Sequence, residues 1–308
     1  MGGVRLRIIG GPTAAGKSGI ALELAARCGA AIISADSRQI FKGFDIGTAK
    51  PSARERATAP HYGIDVVEPE VRYSAAAWAT DASSWIADAM SQRLVPVVVG
   101  GTGLYIKALI EPLFRAPELD PARRSALAEN LATRSLADLR RWCEHLDPAR
   151  AHLGRTQILR AIETALLSGQ RISDLHAAQW HDAGSDASRY TASYLIVDPG
   201  AALGERIATR VDEMLERGWR EEAASLANTV PGDAPAWKAS GYRVIRSLAE
   251  GKLSLSTARE RVIIETRQYA KRQRTWFRHQ LPPAAVTHVN PDDPAFPEVV
   301  REWWERAE

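Results

Sequence analysis

The sequence predicts an α/β fold in which helices flank a parallel β-sheet and an all-helical segment is inserted into the chain. The first observation is a set of short apolar runs, typical of buried strands, at 4–9, 30–34, 95–99 and 194–198. The second is that helical patterns separate the first three runs, as strands in a parallel sheet require. The third is a glycine-rich loop directly after the first run.

The composition shifts between residues 117 and 184, where arginine is frequent and no apolar run resembles a strand. Helical patterns in this stretch occur at 121–133, 136–145 and 156–167. We therefore predict a core formed by residues 1–114 and 193–308, with a helical insertion at 115–192.

Length and charge set limits on the class of protein. The chain has 308 residues, with 40 Lys and Arg against 37 Asp and Glu, a net charge of +3. This excess is too small to indicate a nucleic-acid partner by itself. The two cysteines, Cys28 and Cys143, cannot form a disulfide framework. No apolar stretch is long enough to span a membrane, and we expect a cytoplasmic protein that functions as a monomer.

Residues 11–18 match the P-loop pattern Gly-x-x-x-x-Gly-Lys-Ser without a mismatch. A predicted strand precedes the motif and a helical pattern at 17–28 follows it, so backbone N–H groups converge there on an anion. The predicted diphosphate or nucleotide site consists of Gly11, Pro12, Thr13, Ala14, Ala15, Gly16, Lys17 and Ser18. The Ser18 hydroxyl can hold Mg²⁺. A glycine-rich turn that binds nothing is the alternative.

Two further candidates follow predicted strands. Asp36 comes after the run 30–34, and Thr102 comes after the run 95–99 within Gly-Gly-Thr-Gly. Ligands of parallel sheets bind beyond the carboxyl ends of the strands, which places both residues beside the P-loop. The alternatives are a helix N-cap for Asp36 and a plain turn for Thr102.

The segment 256–280 predicts a two-faced helix. Apolar residues recur every seven positions, and Arg267, Lys271, Arg274 and Arg278 form a stripe on another face. Seven Lys and Arg stand against two Glu in this segment. A stripe of one sign favours a polyanionic partner over a merely solvated face, which is the alternative.

Taken together, these motifs resemble the bacterial tRNA dimethylallyltransferase family, also called isopentenyl-diphosphate:tRNA isopentenyltransferases. The resemblance extends over nearly the whole chain, and the block Asp-Ile-Gly-Thr-Ala-Lys-Pro is its most specific part. The matching blocks lie at 11–18, 34–39, 42–51, 99–105, 160–163, 241–243 and 269–278.

The resemblance implies a fold, an activity and a set of partners. The fold is a P-loop nucleoside triphosphate hydrolase-like core with a helical insertion. The activity is that of a prenyltransferase, which moves the dimethylallyl group of dimethylallyl diphosphate to N6 of the adenosine at tRNA position 37, beside the anticodon. The reaction needs Mg²⁺ and releases diphosphate, and the anticodon stem-loop is the implied RNA contact.

Residue roles are carried over from the family by position. The implied catalytic residues are Asp36 as general base with Thr102 and Arg210 at the diphosphate. The implied tRNA contacts are Asp36, Ser37, Arg38, Gln39, Thr102, Arg124, Gln157, Ile158, Leu159, Arg160 and Ala161, to which the basic stripe adds Lys271 and Arg274. One departure is that residues 153–157 read Leu-Gly-Arg-Thr-Gln, where the family often has Asn-Asp-x-x-Arg.

Two other functions use some of the same residues. A small-molecule P-loop kinase would also employ Lys17, Ser18 and Asp36, but it does not explain the basic stripe. A nucleotide-dependent RNA-binding module would explain the stripe and leave Asp36 and Thr102 without a role.

Overall fold

A computed structural model describes residues 4–111, 117, 119–182 and 190–306. The chain divides into two compact units, a core unit of Met1–Glu111 with Arg189–Glu308 and an insertion unit of Pro112–Ser188. The predicted boundary at 114–115 lies outside the described residues. The predicted boundary at 192–193 falls inside a strand of the core unit.

Helices and strands alternate in the first part of the core unit. They are β1 (Val4–Gly10), α1 (Lys17–Cys28), β2 (Ala30–Ser34), α2 (Ala53–Thr58), β3 (His61–Tyr62), α3 (Ala75–Ser91), β4 (Val95–Gly100) and α4 (Gly103–Ile110). The insertion unit contains α5 (Pro121–Ala132), α6 (Leu136–Leu146), α7 (Arg155–Ser168) and α8 (Ile172–Asp182). The second part of the core unit adds β5 (Tyr190–Val197), α9 (Leu203–Glu216), α10 (Trp219–Thr229), α11 (Tyr242–Ala249), α12 (Leu255–His279), β6 (Val286–Val289) and α13 (Phe296–Arg306).

The described strands form one parallel sheet in the order β3-β2-β4-β1-β5-β6. In the centre, Ile9 of β1 lies between Val99 of β4 and Leu195 of β5. These central strands are apolar on both faces because helices cover both sides of the sheet. Their parallel direction brings the ends of β1, β2 and β4 to one edge, which confirms the α/β fold predicted from the sequence.

Each face of the sheet has its own hydrophobic core. One cluster contains Trp78 and Ile86 of α3 together with side chains of α9 to α12, and the other contains α1 and Trp303 of α13. Trp78 is fully buried, and its indole N–H donates to the Ser34 carbonyl across 3.0 Å. Trp85, seven residues further along α3, packs against the same core, so the spacing of the two tryptophans reflects packing.

The loop 42–51 is held by a buried lysine. Lys50 is 5% exposed, and its ammonium group donates to the Phe41 carbonyl at 2.6 Å and to Asp45 at 2.7 Å and Asp65 at 2.5 Å. Arg56 adds a second cation to Asp65, at 2.9 Å. All three protons of the ammonium group are used, so the loop has a fixed conformation in which Lys50 is a structural residue.

The same loop is fixed from its other side by α10 and α11. The Glu222 carboxylate accepts the backbone N–H groups of Asp45 and Ile46, at 3.1 and 2.7 Å, and the Tyr242 hydroxyl at 2.6 Å. A Cβ on Gly47 would lie 2.2 Å from the Trp219 ring, so only glycine fits there. These contacts explain the unusual sequence of the loop.

The insertion unit has a small core of its own. Its buried residues are Leu131, Leu139, Cys143, Ile158, Ala161, Ile162 and Ile172. The buried Asp147 accepts both the hydroxyl and the backbone N–H of Ser173, at 2.6 and 3.1 Å. Three of its four helices match predicted segments, and α8 was not predicted because its apolar periodicity is weak.

The sequence also favours a strand at 61–67, but the strand in the structure is shorter. Only His61–Tyr62 pairs with β2, and a single bridge joins Phe41 to Val67. Gly63 and Asp65 have positive φ angles of 76° and 57°, which turn the chain away from the sheet. Among the described residues, no helix is long and apolar enough to cross a membrane.

The two lysines of the loop region give a matched test of this packing. We expect Lys50→Ala to lower the free energy of unfolding by about 2–3 kcal/mol, because it leaves a buried carbonyl without its donor. Lys42→Ala removes an exposed pair with Glu68 and should leave stability nearly unchanged. Urea unfolding of both variants measures the difference, and equal losses would show that Lys50 does not hold the loop.

Candidate active site

Three loops meet where β1, β2 and β4 end. The Ala35 N–H donates to the Val99 carbonyl at 2.8 Å, and the Thr102 N–H donates to the Ala35 carbonyl at 3.1 Å. A Cβ on Gly100 would lie 2.2 Å from the Ala35 oxygen, so glycine allows this close approach. The loop carrying Asp36 and the loop carrying Thr102 are thereby joined.

The loop after β1 has the conformation of an anion cradle. Gly11, Ala14 and Gly16 have φ angles of 139°, 62° and 96°, and Gly16 leads directly into α1. The helix N-terminus supplies unpaired N–H groups and a partial positive charge. The Lys17 ammonium folds back over the loop and donates to the Pro12 carbonyl at 2.6 Å.

Two cations act on each other beside this loop. Burial, and then the nearby Arg210 guanidinium, lower the pKa of Lys17 to about 7, while Asp36 acts in the opposite direction. Burial also lowers the pKa of Arg210, again opposed by Asp36. Arg210 makes no hydrogen bond or ion pair to any residue that the structure describes. A bound anion would relieve both cations.

Asp36 and Thr102 lie in a compact turn. The Asp36 carboxylate accepts the Arg38 N–H at 2.8 Å, and the Thr102 hydroxyl accepts the Ser37 N–H at 3.0 Å. Residues 37–40 form a turn, so the alternative that Asp36 caps a helix is wrong. Thr102 does more than complete a turn, because its side chain links the ends of β2 and β4.

A cavity of about 540 Å³ opens beside these groups. Asp36, Arg210 and Thr13 line one part of it, and the cationic side chains Arg38, Lys238, Arg243 and Arg272 line other parts. A second cavity of about 280 Å³ lies beside Ser18 and also has Arg210 in its wall. Arg210 therefore stands between the two spaces.

Tyr269 of α12 is one of the apolar residues that recur every seven positions, and it is also part of this cavity wall. Burial, and then the charge of Asp36, raise the pKa of its hydroxyl to about 12, and the Thr102 hydroxyl lies beside it. The Arg272 guanidinium lies over its ring at 5.8 Å. A seven-residue apolar period does not distinguish a residue of the core from one that also lines a cavity. The sequence therefore did not identify Tyr269 as a cavity residue.

Gln39 is bound within its own loop region. Its amide accepts the Ser34 hydroxyl at 2.9 Å and donates to the Thr48 and Ala49 carbonyls at 3.2 and 3.1 Å. It thus joins β2 to the loop 42–51. Ser37 and Arg38 are partly exposed beside it.

The basic stripe of α12 divides into free and paired cations. Lys271 is exposed, whereas Arg274 donates through Nε to Asp198 at 2.8 Å and through its terminal nitrogen to the Gly200 carbonyl at 2.6 Å. Arg267 donates to the Gly204 carbonyl at 3.3 Å. The opposite face is buried through Val262, Ile263, Ala270 and Phe277, as the sequence predicted.

Within the insertion unit, the predicted RNA contacts differ in exposure. Gln157 and Arg160 are exposed, Leu159 is partly exposed, and Ile158 and Ala161 are fully buried in the unit's core. Helical periodicity puts positions 158 and 161 on the inner face, so their side chains are not available to a partner. Arg124 pairs with Glu163 at 2.9 Å and keeps 55% of its side chain exposed.

Arg155, in the segment where the sequence departs from the family pattern, has a structural role. Its guanidinium donates to the carbonyls of Leu131, Ala132 and Arg134 at the end of α5, at 3.3, 3.1 and 2.9 Å. These carbonyls lie in the last turn of α5 and just beyond it. Arg155 therefore links the start of α7 to the end of α5.

Comparison with known proteins finds matches to two family models and to individual proteins of similar length. The family model described as IPP transferase matches residues 39–280, and a second model, Isopentenyl transferase, matches residues 4–61. A tRNA dimethylallyltransferase of Anaeromyxobacter sp. (strain K) is 40% identical over 282 residues, which cover 90% of this chain and 91% of that protein. A Deinococcus radiodurans protein of the same name is 36% identical over 295 residues, with 92% and 94% covered.

Solved structures agree. The full-length tRNA isopentenylpyrophosphate transferase of Bacillus halodurans superposes with a TM-score of 0.69 at 30% identity, covering 99% of this chain and 96% of that one. A eukaryotic dimethylallyltransferase acting on tRNA has the same fold, with a TM-score of 0.75 at 24% identity and 92% and 73% covered. By its sequence and its fold, the chain belongs to the IPP transferase family.

Proposed function

We propose that this chain transfers the dimethylallyl group of dimethylallyl diphosphate to N6 of the adenosine at tRNA position 37 and releases diphosphate. The observation that carries this proposal is the meeting of an anion cradle, two cations and a carboxylate. Thr13 of the cradle, Arg210 and Asp36 line one cavity, and Lys17 is close enough that both charges act on its pKa. Prenyl transfer from a diphosphate to an amine needs all three. The family membership of the chain supports the same reaction.

The cations stabilise the leaving group. When the carbon–oxygen bond of the prenyl donor breaks, negative charge grows on the diphosphate. The α1 N-terminus, Lys17 and Arg210 lie where they can stabilise that charge. Thr102 lies at the same edge of the sheet, and its hydroxyl could turn its proton from the Ser37 hydroxyl to a diphosphate oxygen.

A Mg²⁺ ion fits this arrangement at Ser18. Within the described part of the chain, no cluster of three or more His, Cys, Asp or Glu side chains could hold a metal alone. Mg²⁺ commonly takes one or two protein oxygens and completes its shell with phosphate oxygens and water. The exposed Ser18 hydroxyl, at the start of α1, supplies one such oxygen. When bound, the ion would neutralise part of the diphosphate charge.

Asp36 serves as general base. The exocyclic amine of adenine is a weak nucleophile and must lose a proton as the new C–N bond forms. The Asp36 carboxylate lines the cavity with Arg210, and its hydrogen bond from the Arg38 N–H fixes its orientation. A carboxylate held in this way can accept the proton that the amine loses.

The tRNA would be held by cations around the cavity and on α12. Arg38, Arg243 and Arg272 line the cavity, and Lys271 extends the positive surface along the helix. Gln157 and Arg160 of the insertion unit present further polar groups. Moving a base out of its stack costs a few kcal/mol, which contacts to the phosphate backbone can offset.

A small-molecule kinase fits less well. P-loop proteins that cleave a triphosphate usually place an Asp at the end of a strand next to β1 to hold Mg²⁺. The neighbouring strand β4 ends in Gly100 and is followed by Gly101. Both glycines are in close contact with other groups, so no acidic side chain could be accommodated there.

The decisive experiment uses purified protein, an unmodified tRNA anticodon stem-loop and dimethylallyl diphosphate. Mass spectrometry should detect an adduct of one dimethylallyl group on the adenosine at position 37. ATP with the same RNA serves as the parallel reaction. Turnover of ATP alone would support a kinase, and RNA binding without any product would support a binding module.

The role of Asp36 is tested by Asp36→Asn, which keeps the shape of the side chain and removes its basicity. We expect the single-turnover rate to fall by roughly 10²–10⁴-fold with RNA affinity retained. Glu265→Gln removes another carboxylate from the same cavity wall and should keep the rate within a few-fold. Equal effects of the two substitutions would assign the loss to cavity charge and not to a base.

The pKa of Lys17 predicts how diphosphate affinity depends on pH. In the free protein the ammonium loses its proton above about pH 7, whereas a bound anion raises its pKa. Binding above pH 7 therefore takes up a proton, and affinity should fall by up to about tenfold per pH unit. Calorimetry compares the wild type with Lys17→Met, since the ratio of their affinities cancels the titration of the ligand. A ratio that stays constant from pH 6 to 9 would contradict this.

We expect Lys271 and Arg274 of the basic stripe to have different roles, Lys271 in RNA binding and Arg274 in stability. Lys271→Ala should make the slope of log affinity against log salt shallower by about 0.7–0.9, the effect of one lost phosphate contact. Arg274→Ala should mainly lower the melting temperature, because Asp198 already neutralises that guanidinium. A larger change in salt slope for Arg274→Ala would reverse the assignment.

A further inference from the structure

Gln273 of α12 connects the two loops that flank the anion cradle. Its side-chain oxygen accepts the Thr13 N–H at 2.8 Å, and its side-chain nitrogen donates to the Gly101 carbonyl at 3.0 Å. The residue is only 6% exposed. It therefore takes up one backbone donor of the P-loop that would otherwise be available to an anion.

Gln273 packs closely against the loop after β4. A Cβ on Gly101 would lie 2.1 Å from its nitrogen, so glycine at this position lets the carboxamide reach the Gly101 carbonyl. The neighbouring side chains of α12 are seated equally closely, since a Cβ on Gly103 would lie 2.1 Å from Trp276 and one on Gly10 would lie 2.7 Å from Phe277. This close packing and the two hydrogen bonds together hold the carboxamide between Thr13 and Gly101.

The position of this carboxamide corresponds to the outer end of a phosphate chain. A P-loop lysine reaches toward the outermost phosphates, and Lys17 points back along the loop to the Pro12 carbonyl, next to Thr13. In proteins that use a triphosphate, the end of the neighbouring strand serves the metal at the third phosphate. Here that end is Gly101, and Gln273 occupies the gap between Gly101 and Thr13.

We propose that Gln273 limits the length of the phosphate chain, so that the site accepts a diphosphate and rejects a triphosphate. Two phosphates fill the cradle from the α1 N-terminus to the Lys17 ammonium. A third would have to displace the carboxamide from both hydrogen bonds. This inference rests on the proposed function, because it specifies the diphosphate site of that reaction.

The test measures the affinities of inorganic diphosphate and inorganic triphosphate by calorimetry in a buffer with Mg²⁺. The wild type should bind the diphosphate about tenfold or more tightly, the cost of hydrogen bonds broken without replacement. Gln273→Ala frees the Thr13 N–H and opens the wall, so the preference should narrow by about tenfold. Gln273→Glu places a negative charge at the same point, and its preference for diphosphate should be at least as large as that of the wild type.

A change in selectivity distinguishes this role from simple packing. Ile263→Ala removes a buried side chain from the same helix, away from the loops. It should lower the melting temperature without changing the ratio of diphosphate affinity to triphosphate affinity. A wild type without preference, or a Gln273→Ala variant that loses both affinities equally, would overturn the proposal. Prenyl transfer by the wild type is measured separately, so loss of the length limit leaves the proposed function standing.

Discussion

The structure is organised around two cations that lack a full counter-charge. Lys17 and Arg210 lie together at the carboxyl edge of the sheet, and among the described residues Asp36 is the carboxylate that acts on both. Like charges held this close repel each other, and burial adds to the cost. The sheet and its covering helices hold the backbone on both sides of the site, which keeps the two cations in place despite this unfavourable free energy. Under the proposed function, a diphosphate would remove this repulsion when it binds, and the stability lost in the free protein would become binding energy in the complex.

The rigidity that keeps these charges in place comes from polar contacts around the site. Lys50 and Glu222 bind the loop 42–51 from opposite sides, and Gln39 joins it to β2. Gln273 and Thr102 do the same for the loops after β1 and β4. Each of these side chains satisfies backbone groups that a loop would otherwise leave to water. The site is therefore preorganised by residues that need not touch the reacting atoms.

Helix α12 serves two environments at once. Its inner residues Gln273 and Phe277 are pressed against the glycines of the catalytic loops, and its outer residue Lys271 faces solvent. Arg274 lies between these two faces and is neutralised by Asp198. The cations of the stripe therefore differ, because some are free and others are paired within the protein. Only the free cations contribute counterion release when a nucleic acid binds.

Local patterns in the sequence determined the P-loop, the central strands β1, β2 and β4, and the two-faced helix α12. Their signals are short-range ones: runs of apolar residues, a helical period and glycines at fixed spacing. The same patterns were enough to place Asp36 and Thr102 at the edge of the sheet, because the ends of parallel strands meet there. The resemblance of several blocks to a known family added Arg210, which no local pattern singles out.

Only the tertiary structure decided which polar residues are free and which are engaged. Gln273 lies 260 positions from Thr13, and Lys50 lies 15 from Asp65, so neither contact follows from a local period. Tyr269 follows the spacing of a core residue and yet lines the cavity, since a helix face can border a core and a cleft together. Ile158 and Ala161 sit in a block expected to bind RNA and are buried. Hydrogen-bond partners and burial arise from packing between distant segments, and the sequence alone does not specify them.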